Sequence, residues 1–294
     1  MTAPEEGILL LCCALGQRDA APLSAAQFQA LGEKIRQTGL RRDEMQNVSA
    51  RDLIQVGCSE AFAQRVMRLL DREAALSRYL HAAAQLDIFP LTRISRGYPQ
   101  RLREKLRHGA PPVLFCRGDI ALFTRPAVAV VGSRRLYPKN EAFARLVGAL
   151  AAKEGFALVS GGALGADQIA QEAALARGGS ALIFPADALQ THVPPPDCLY
   201  CSAEGYELPF SAARALYRNK LIHAQGDLTL VAQCSLASGG TWQGCQENLR
   251  HSWSDLYVFE DRSPAAAALI EQGATAVEAL QSIRALSPAQ LRLE

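Results

Sequence analysis

The stretch AVAVVGSRRLYPKNEAFARLVGALAAKEGFALVSGGALGAD, residues 127–167, decides the fold class. It opens on Ala127–Val131, five apolar residues without polar alternation, the pattern of a strand buried on both faces. Asn140–Lys153 follows, with Phe143, Leu146, Val147 and Leu150 on one side of a helix. Phe156–Ser160 reads as a second strand and Gly165–Ala176 as a second helix. Strand and helix in alternation, with continuous apolar strands, predict a parallel sheet covered on both faces.

Toward the C-terminus the alternation continues. Ala181–Phe184, Leu228–Ala232 and Leu256–Phe259 read as strands, and Ala212–Ala224 and Thr241–Arg250 as helices. Residues 185–211 carry Pro194, Pro195 and Pro196 and read as an irregular loop over the strand ends. Toward the N-terminus the texture is helical: 24–38, 50–57 and 60–84 space their apolar residues by three and four. Ser49 and Ser59 are candidate N-caps of two short helices joined at Gly57. That pair resembles half of a helix-hairpin-helix, a module that grips nucleic-acid backbone, although a plain helical packing unit has the same pattern. The expected organisation is a small all-α N-terminal domain of helix-hairpin-helix or SAM-like type (1–90), a basic linker and lead-in (91–125), and a Rossmann-like α/β domain with a mostly parallel sheet (126–294).

The 294 residues are 49% hydrophobic and 20% charged, enough apolar surface for a real core and too little charge for a disordered chain. No apolar run approaches the length of a membrane span, and Glu5 and Glu6 precede the short run Ile8–Leu11 where a secretory signal wants positive charge. A cytoplasmic location is expected. Eight cysteines are too sparse for a disulfide scaffold. Cys198-Leu-Tyr-Cys201 has metal-like spacing but lacks a second ligand pair, so neither metal nor cofactor is expected. The net charge of +2 is uneven: residues 1–120 hold 17 basic and 13 acidic side chains, residues 121–294 hold 14 and 16. Arg93–Arg107 sets six cations against Glu104 alone, the pattern of a solvated helix face or of a phosphate contact.

Ligands of a doubly wound sheet bind at the carboxyl ends of its strands, and three loops there carry chemistry. Gly132-Ser133-Arg134 follows the first strand: a tight turn, a hydroxyl, and a planar guanidinium suited to phosphate. Gly161, Gly162 and Gly165 lie in the second loop, which feeds a helix N-terminus whose N–H groups and positive dipole end suit an anion. Asp167 in that helix's first turn fits the dipole as a structural residue. Ser238, Gly239, Gly240 and Thr241 repeat the logic before another helix. Arg218, Asn219 and Lys220 lie together on a helix, where two of the three can face one ligand. Together they argue for a phosphate-bearing ligand. None of the loops matches GxxxxGK[ST], or GxGxxG with its distant acid, which argues against P-loop NTPases and dinucleotide dehydrogenases.

The order of VAVVGSRR, LVSGGALGAD, YRNKLI, the SGGT loop and LIEQGA resembles the DNA-processing protein A (DprA/Smf) family over roughly residues 95–280. The segment from Tyr98-Pro99 through Pro111–Leu114 to Gly118 is similar to the family's lead-in to its first strand. The resemblance implies an extended Rossmann fold that binds single-stranded DNA, helps load RecA recombinase during natural transformation, and forms a homodimer. It also implies that Gly132, Ser133, Arg134, Gly161, Gly162, Gly165 and the Arg218–Asn219–Lys220 triplet line a DNA-phosphate pocket, with Ser238, Gly239 and Gly240 in the later glycine loop. Lys220 departs from the pattern, where the family commonly has a second Arg, and so loses the fork. The segment 242–247 departs as well, and no winged-helix domain fits after residue 280.

Two function classes follow. One is a non-catalytic single-strand binder, with Tyr137, Phe210 and Tyr217 as candidates for base stacking. The other is a nucleotide-binding or nucleotide-hydrolysing enzyme resembling LOG phosphoribohydrolases, in which Gly239-Gly240-Thr241 would act with Glu247 and Arg250 on one helix.

Overall fold

The computed structural model describes residues 1–17, 21–37 and 48–286. These form two compact units, one of Met1–Tyr98, Arg107–Cys116 and Ala203–Leu208, the other of the remaining segments.

The first unit carries five helices, α1 (Ala3–Cys12), α2 (Ala25–Gln37), α3 (Ala50–Gln55), α4 (Glu60–Leu70) and α5 (Glu73–Ala84), and strand β1 (Phe89–Thr92). Ser49 and Ser59 cap α3 and α4, accepting from the amides of Asp52 and Phe62. Gly57 sits between them in the left-handed region, as the tight α3–α4 turn requires. Leu11, Leu31, Leu53, Val66 and Leu69 bury the helices' shared apolar face. The helix read over 60–84 breaks at Asp71. There Arg72 turns its guanidinium onto the carbonyls of Leu10, Cys13 and Ala14, satisfying the C-terminal end of α1.

Within the stretch read as a basic linker lie the end of β1, helix α6 (Gln100–Leu106) and strand β2 (Val113–Gly118). β1 pairs antiparallel with β2, Phe89 opposite Cys116.

The second unit is a doubly wound sheet. Its strands are β3 (Ala127–Val131), β4 (Ala157–Ser160), β5 (Ser180–Ile183), β6 (Cys198–Ala203), β7 (Leu228–Val231), β8 (Asp255–Phe259) and β9 (Thr275–Val277). They lie side by side in the order β6-β5-β4-β3-β7-β8-β9, every neighbouring pair parallel. The connecting helices are α7 (Pro138–Glu154), α8 (Ala166–Leu175), α9 (Ala212–Gln225), α10 (Gly239–His251) and α11 (Pro264–Glu271). Every residue of β3, β4, β5 and β7 is buried, as continuous apolar strands under two helical layers must be. Val128, Val130, Phe143, Val147, Leu158 and Leu230 belong to its core.

Residues 185–211 are not all loop. After the prolines the chain re-enters the sheet as β6, pairing with β5. Its Cys198 and Cys201 are three apart on a strand, so they point to opposite faces and cannot grip one ion.

From β3 the chain runs outward through β4 and β5 to β6, then returns to build β7 on β3's other side, with Val131 opposite Val231. The carboxyl ends of β3 and β7 therefore form the topological switch point, where α/β sheets open a crevice.

Candidate functional site

A cleft of about 620 Å³ opens at that switch point. The loop after β3 (Gly132, Ser133, Arg134, Arg135), the loop before α10 (Ser238, Gly239, Gly240, Thr241) and one side of α9 (Leu216, Arg218, Asn219, His223) line it.

Much of the expected binding chemistry works as scaffolding. Thr241 donates its hydroxyl to the Gly132 carbonyl at 3.0 Å, tying the third loop to the first. Asn219 donates to the Gly240 carbonyl at 2.9 Å and fixes α9 to the same loop. The Ser133 amide and hydroxyl both reach the Gln233 carbonyl, at 2.9 and 3.3 Å. Gln233, which has no sequence signature, braces the loop from the other side. It accepts from the Tyr137 amide and donates to the Arg135 carbonyl.

The second loop departs furthest from expectation. Four of its amides are already engaged within the protein. Asp167 Oδ2 accepts from Gly161 N at 3.0 Å and Ala163 N at 3.4 Å. Gly162 N donates to Ser160 Oγ, and Ala166 N to the Ser133 carbonyl. The protein fills this nest with its own carboxylate. Gly161 is buried, Gly162 exposed and Gly165 half-buried, and none of the three lines the cleft, whereas Ala163 and Asp167 of the same loop do. Gly165 has φ +86°, and a Cβ there would lie 2.3 Å from the Ser133 carbonyl oxygen. Gly161 passes so close to Arg218 that a Cβ would lie 1.5 Å from its Nη1. The glycines thus pack the first loop and Arg218 against the second.

Arg218 is the feature that scaffolding does not explain. Its side chain is 14% exposed, and Nη1 stands 3.9 Å from Asp167 Oδ2, near enough to attract but too far to hydrogen-bond. Its buried Nε has no hydrogen-bond partner. A buried donor on a charged group costs free energy unless something completes it. Burial pushes the Arg218 pKa down, yet a guanidinium stays charged. Burial pushes the Asp167 carboxyl up, against the pull of Arg218. Across the cleft, α10 begins at Gly239, and Ser238 makes no capping bond to its first turn. Arg134 lines the same space. Cationic forks and an uncapped helix start thus converge on one volume, the requirement for holding an anion.

Residues 90–287 match the model of the DNA recombination-mediator protein A family. The chain belongs to that family. All three loops and α9 lie within the matched span, so the cleft belongs to the part shared with DNA recombination-mediator proteins A. The crystal structure of DNA processing protein A from Streptococcus pneumoniae aligns over 98% of this chain and 99% of its own, at 23% identity and a TM-score of 0.75, a likeness of fold. DNA processing protein A from Helicobacter pylori, whose structure describes a single-stranded DNA binding mode, aligns over 65% of this chain and 91% of its own, at 27% identity and a TM-score of 0.57. No curated protein matches the chain.

Two expectations part from this geometry. Lys220 does not line the cleft; its ammonium lies 3.8 Å over the Tyr217 ring, and both belong to another side of α9. Glu247 and Arg250 are exposed on α10 and are not among the residues that line the cleft. His223, unmarked in the sequence, lies beneath the cleft. Its Nδ1 is 3.2 Å from Thr229 Oγ1, which is 2.7 Å from Ser254 Oγ.

Proposed function

We propose that this chain binds single-stranded DNA without catalysis, its cleft holding backbone phosphate between Arg218, Arg134 and the first turn of α10. The observation that carries the reading is the buried Arg218 Nε, unpartnered on a side chain that lines the cleft together with Arg134 and the first turn of α10. Membership of a DNA-processing family supports it, as does the single-strand binding of the H. pylori protein. A backbone phosphate supplies acceptor oxygens to all three donors.

In this reading the protein works in the cytoplasm as a homodimer, in DNA uptake and recombination during natural transformation, protecting incoming strands and assisting RecA loading. No described helix is long and apolar enough to cross a membrane. Titration of a fluorescent oligo-dT tests the binding. Wild type binds at low salt, and Arg134→Ala weakens binding by about 1–3 kcal/mol, the scale of a charge-assisted hydrogen bond, with an unchanged melting point. Absence of binding by micromolar protein at low salt contradicts the reading.

A further inference from the structure

Arg101 and Lys105 stand one turn apart on α6 and reach the same turn, Gly226–Asp227, between α9 and β7. The one carboxylate in that turn is fully claimed. Arg101 takes both oxygens of Asp227, and the Ala127 amide adds a second bond to Oδ2. Lys105 is left with a neutral acceptor, the Gly226 carbonyl, as its only hydrogen-bond partner among the described residues. The remaining carboxylates that act on it are Glu104 on α6 and Asp255 at the start of β8, both exposed, where water and salt screen them. Burial pushes the Lys105 amine down to about 8; Asp227 pulls against that fall and Arg101 adds to it. The residue is half-buried, so solvent still reaches it.

We propose that Lys105 is an acylation site, the nucleophile this chain offers to small acyl phosphates. Its geometry supplies the reason: two cations meet one carboxylate, and the second goes without a counter-ion. In the reaction the neutral amine attacks the acyl carbon and an N–C bond forms. The bond from that carbon to the phosphate oxygen breaks, phosphate leaves with the bonding pair, and Nζ gives one proton to water. The product keeps one N–H for the Gly226 carbonyl and no longer buries a charge that lacks a partner. At pH 8 about half of the Lys105 amines are neutral, against roughly one in three hundred at the ordinary lysine value. A less basic amine is intrinsically a weaker nucleophile, which takes back part of that advantage. The chain holds four other lysines as internal standards. Lys153 is exposed at the end of α7 and reports the reactivity of a solvated amine.

The test treats native protein with acetyl phosphate and follows each lysine by peptide mass spectrometry across a range of pH. At pH 8 the proposal expects Lys105 to be acetylated about tenfold faster than Lys153 or better, although Lys105 is the less exposed of the two. The Lys105 rate should level off about one pH unit above 8, while the Lys153 rate keeps climbing. In urea the two rates should come within about twofold of each other, because the unfolded chain gives both amines the ordinary value. Equal or slower acetylation of Lys105 in the native protein overturns the proposal. So does a Lys105 rate that climbs in parallel with that of Lys153 throughout. A preference that survives urea belongs to the local sequence and not to the fold, and overturns it as well. A melting point lowered by acetylation at Lys105 contradicts the fit of the product.

Discussion

Gly161 and Arg218 share a volume in which the α-carbon hydrogen of a glycine is the only substituent that fits. An added methyl at 161 must push the guanidinium out of its slot. Gly161→Ala should therefore weaken oligo-dT binding about as much as Arg218→Ala does, and destabilise the fold by about 1–3 kcal/mol, the usual cost of overpacking. Paired titrations and melting curves check this, and a Gly161→Ala protein with wild-type affinity contradicts it. His223 makes a separate prediction. Burial, reinforced by the Arg218 charge, pushes its imidazole down to about 3, while the unfolded chain takes up the proton near the ordinary 6.5. Between those values the unfolded state binds more protons, so stability falls as pH drops from about 6.5 toward about 3, by up to about 1.4 kcal/mol per unit. Denaturant titrations at several pH values should show a shallower slope in His223→Gln. The sequence hides His223's role, because a lone histidine in a helix carries no signature of what lies beneath it.

At the scale of elements, the glycine loops divide the work in a way their similar sequences conceal. The first and third border the open cleft, whereas the second closes on Asp167. The dipole argument placed that carboxylate correctly in the first turn of α8, but that argument is silent on whether a nest is open or already filled. Only the side chain's reach onto Gly161 and Ala163 decides it. Asp167→Asn keeps an acceptor for both amides and removes a negative charge 3.9 Å from Arg218. It should tighten oligo-dT binding by roughly threefold to tenfold, since the carboxylate competes with phosphate for the guanidinium. Weaker binding in that variant would mean that Asp167 holds Arg218 in place. The strands β3, β4, β5, β7 and β8 were legible because each is a continuous apolar run. β6 was not: three prolines precede it, and its two cysteines drew attention to metal spacing instead of to strand register. The three-residue β9 is too short for any period to show.

For the molecule as a whole, the basic run 93–107 illustrates how charge in a sequence differs from charge on a surface. Arg101 forms a two-pronged ion pair with Asp227 at 2.6 and 2.9 Å, and Lys105 donates to the Gly226 carbonyl at 2.6 Å. These cations clasp α6 to the turn before β7, at the amino end of the strands and away from the cleft. Asp227 also accepts from the Ala127 amide. Asp227→Ala strands Arg101 and should cost about 3 kcal/mol of stability, with oligo-dT affinity unchanged in the folded protein. A parallel loss of affinity would return the run to the DNA surface. In the proposed binding mode, the buried Arg218 Nε, left without a partner in the protein, meets a phosphate oxygen. A crystal structure with a bound thymidine oligomer tests it most directly. The expected result is a phosphate oxygen within hydrogen-bond distance of Arg218 Nε, beside the first turn of α10. A strand bound elsewhere, with Arg218 Nε still unpartnered, would contradict it.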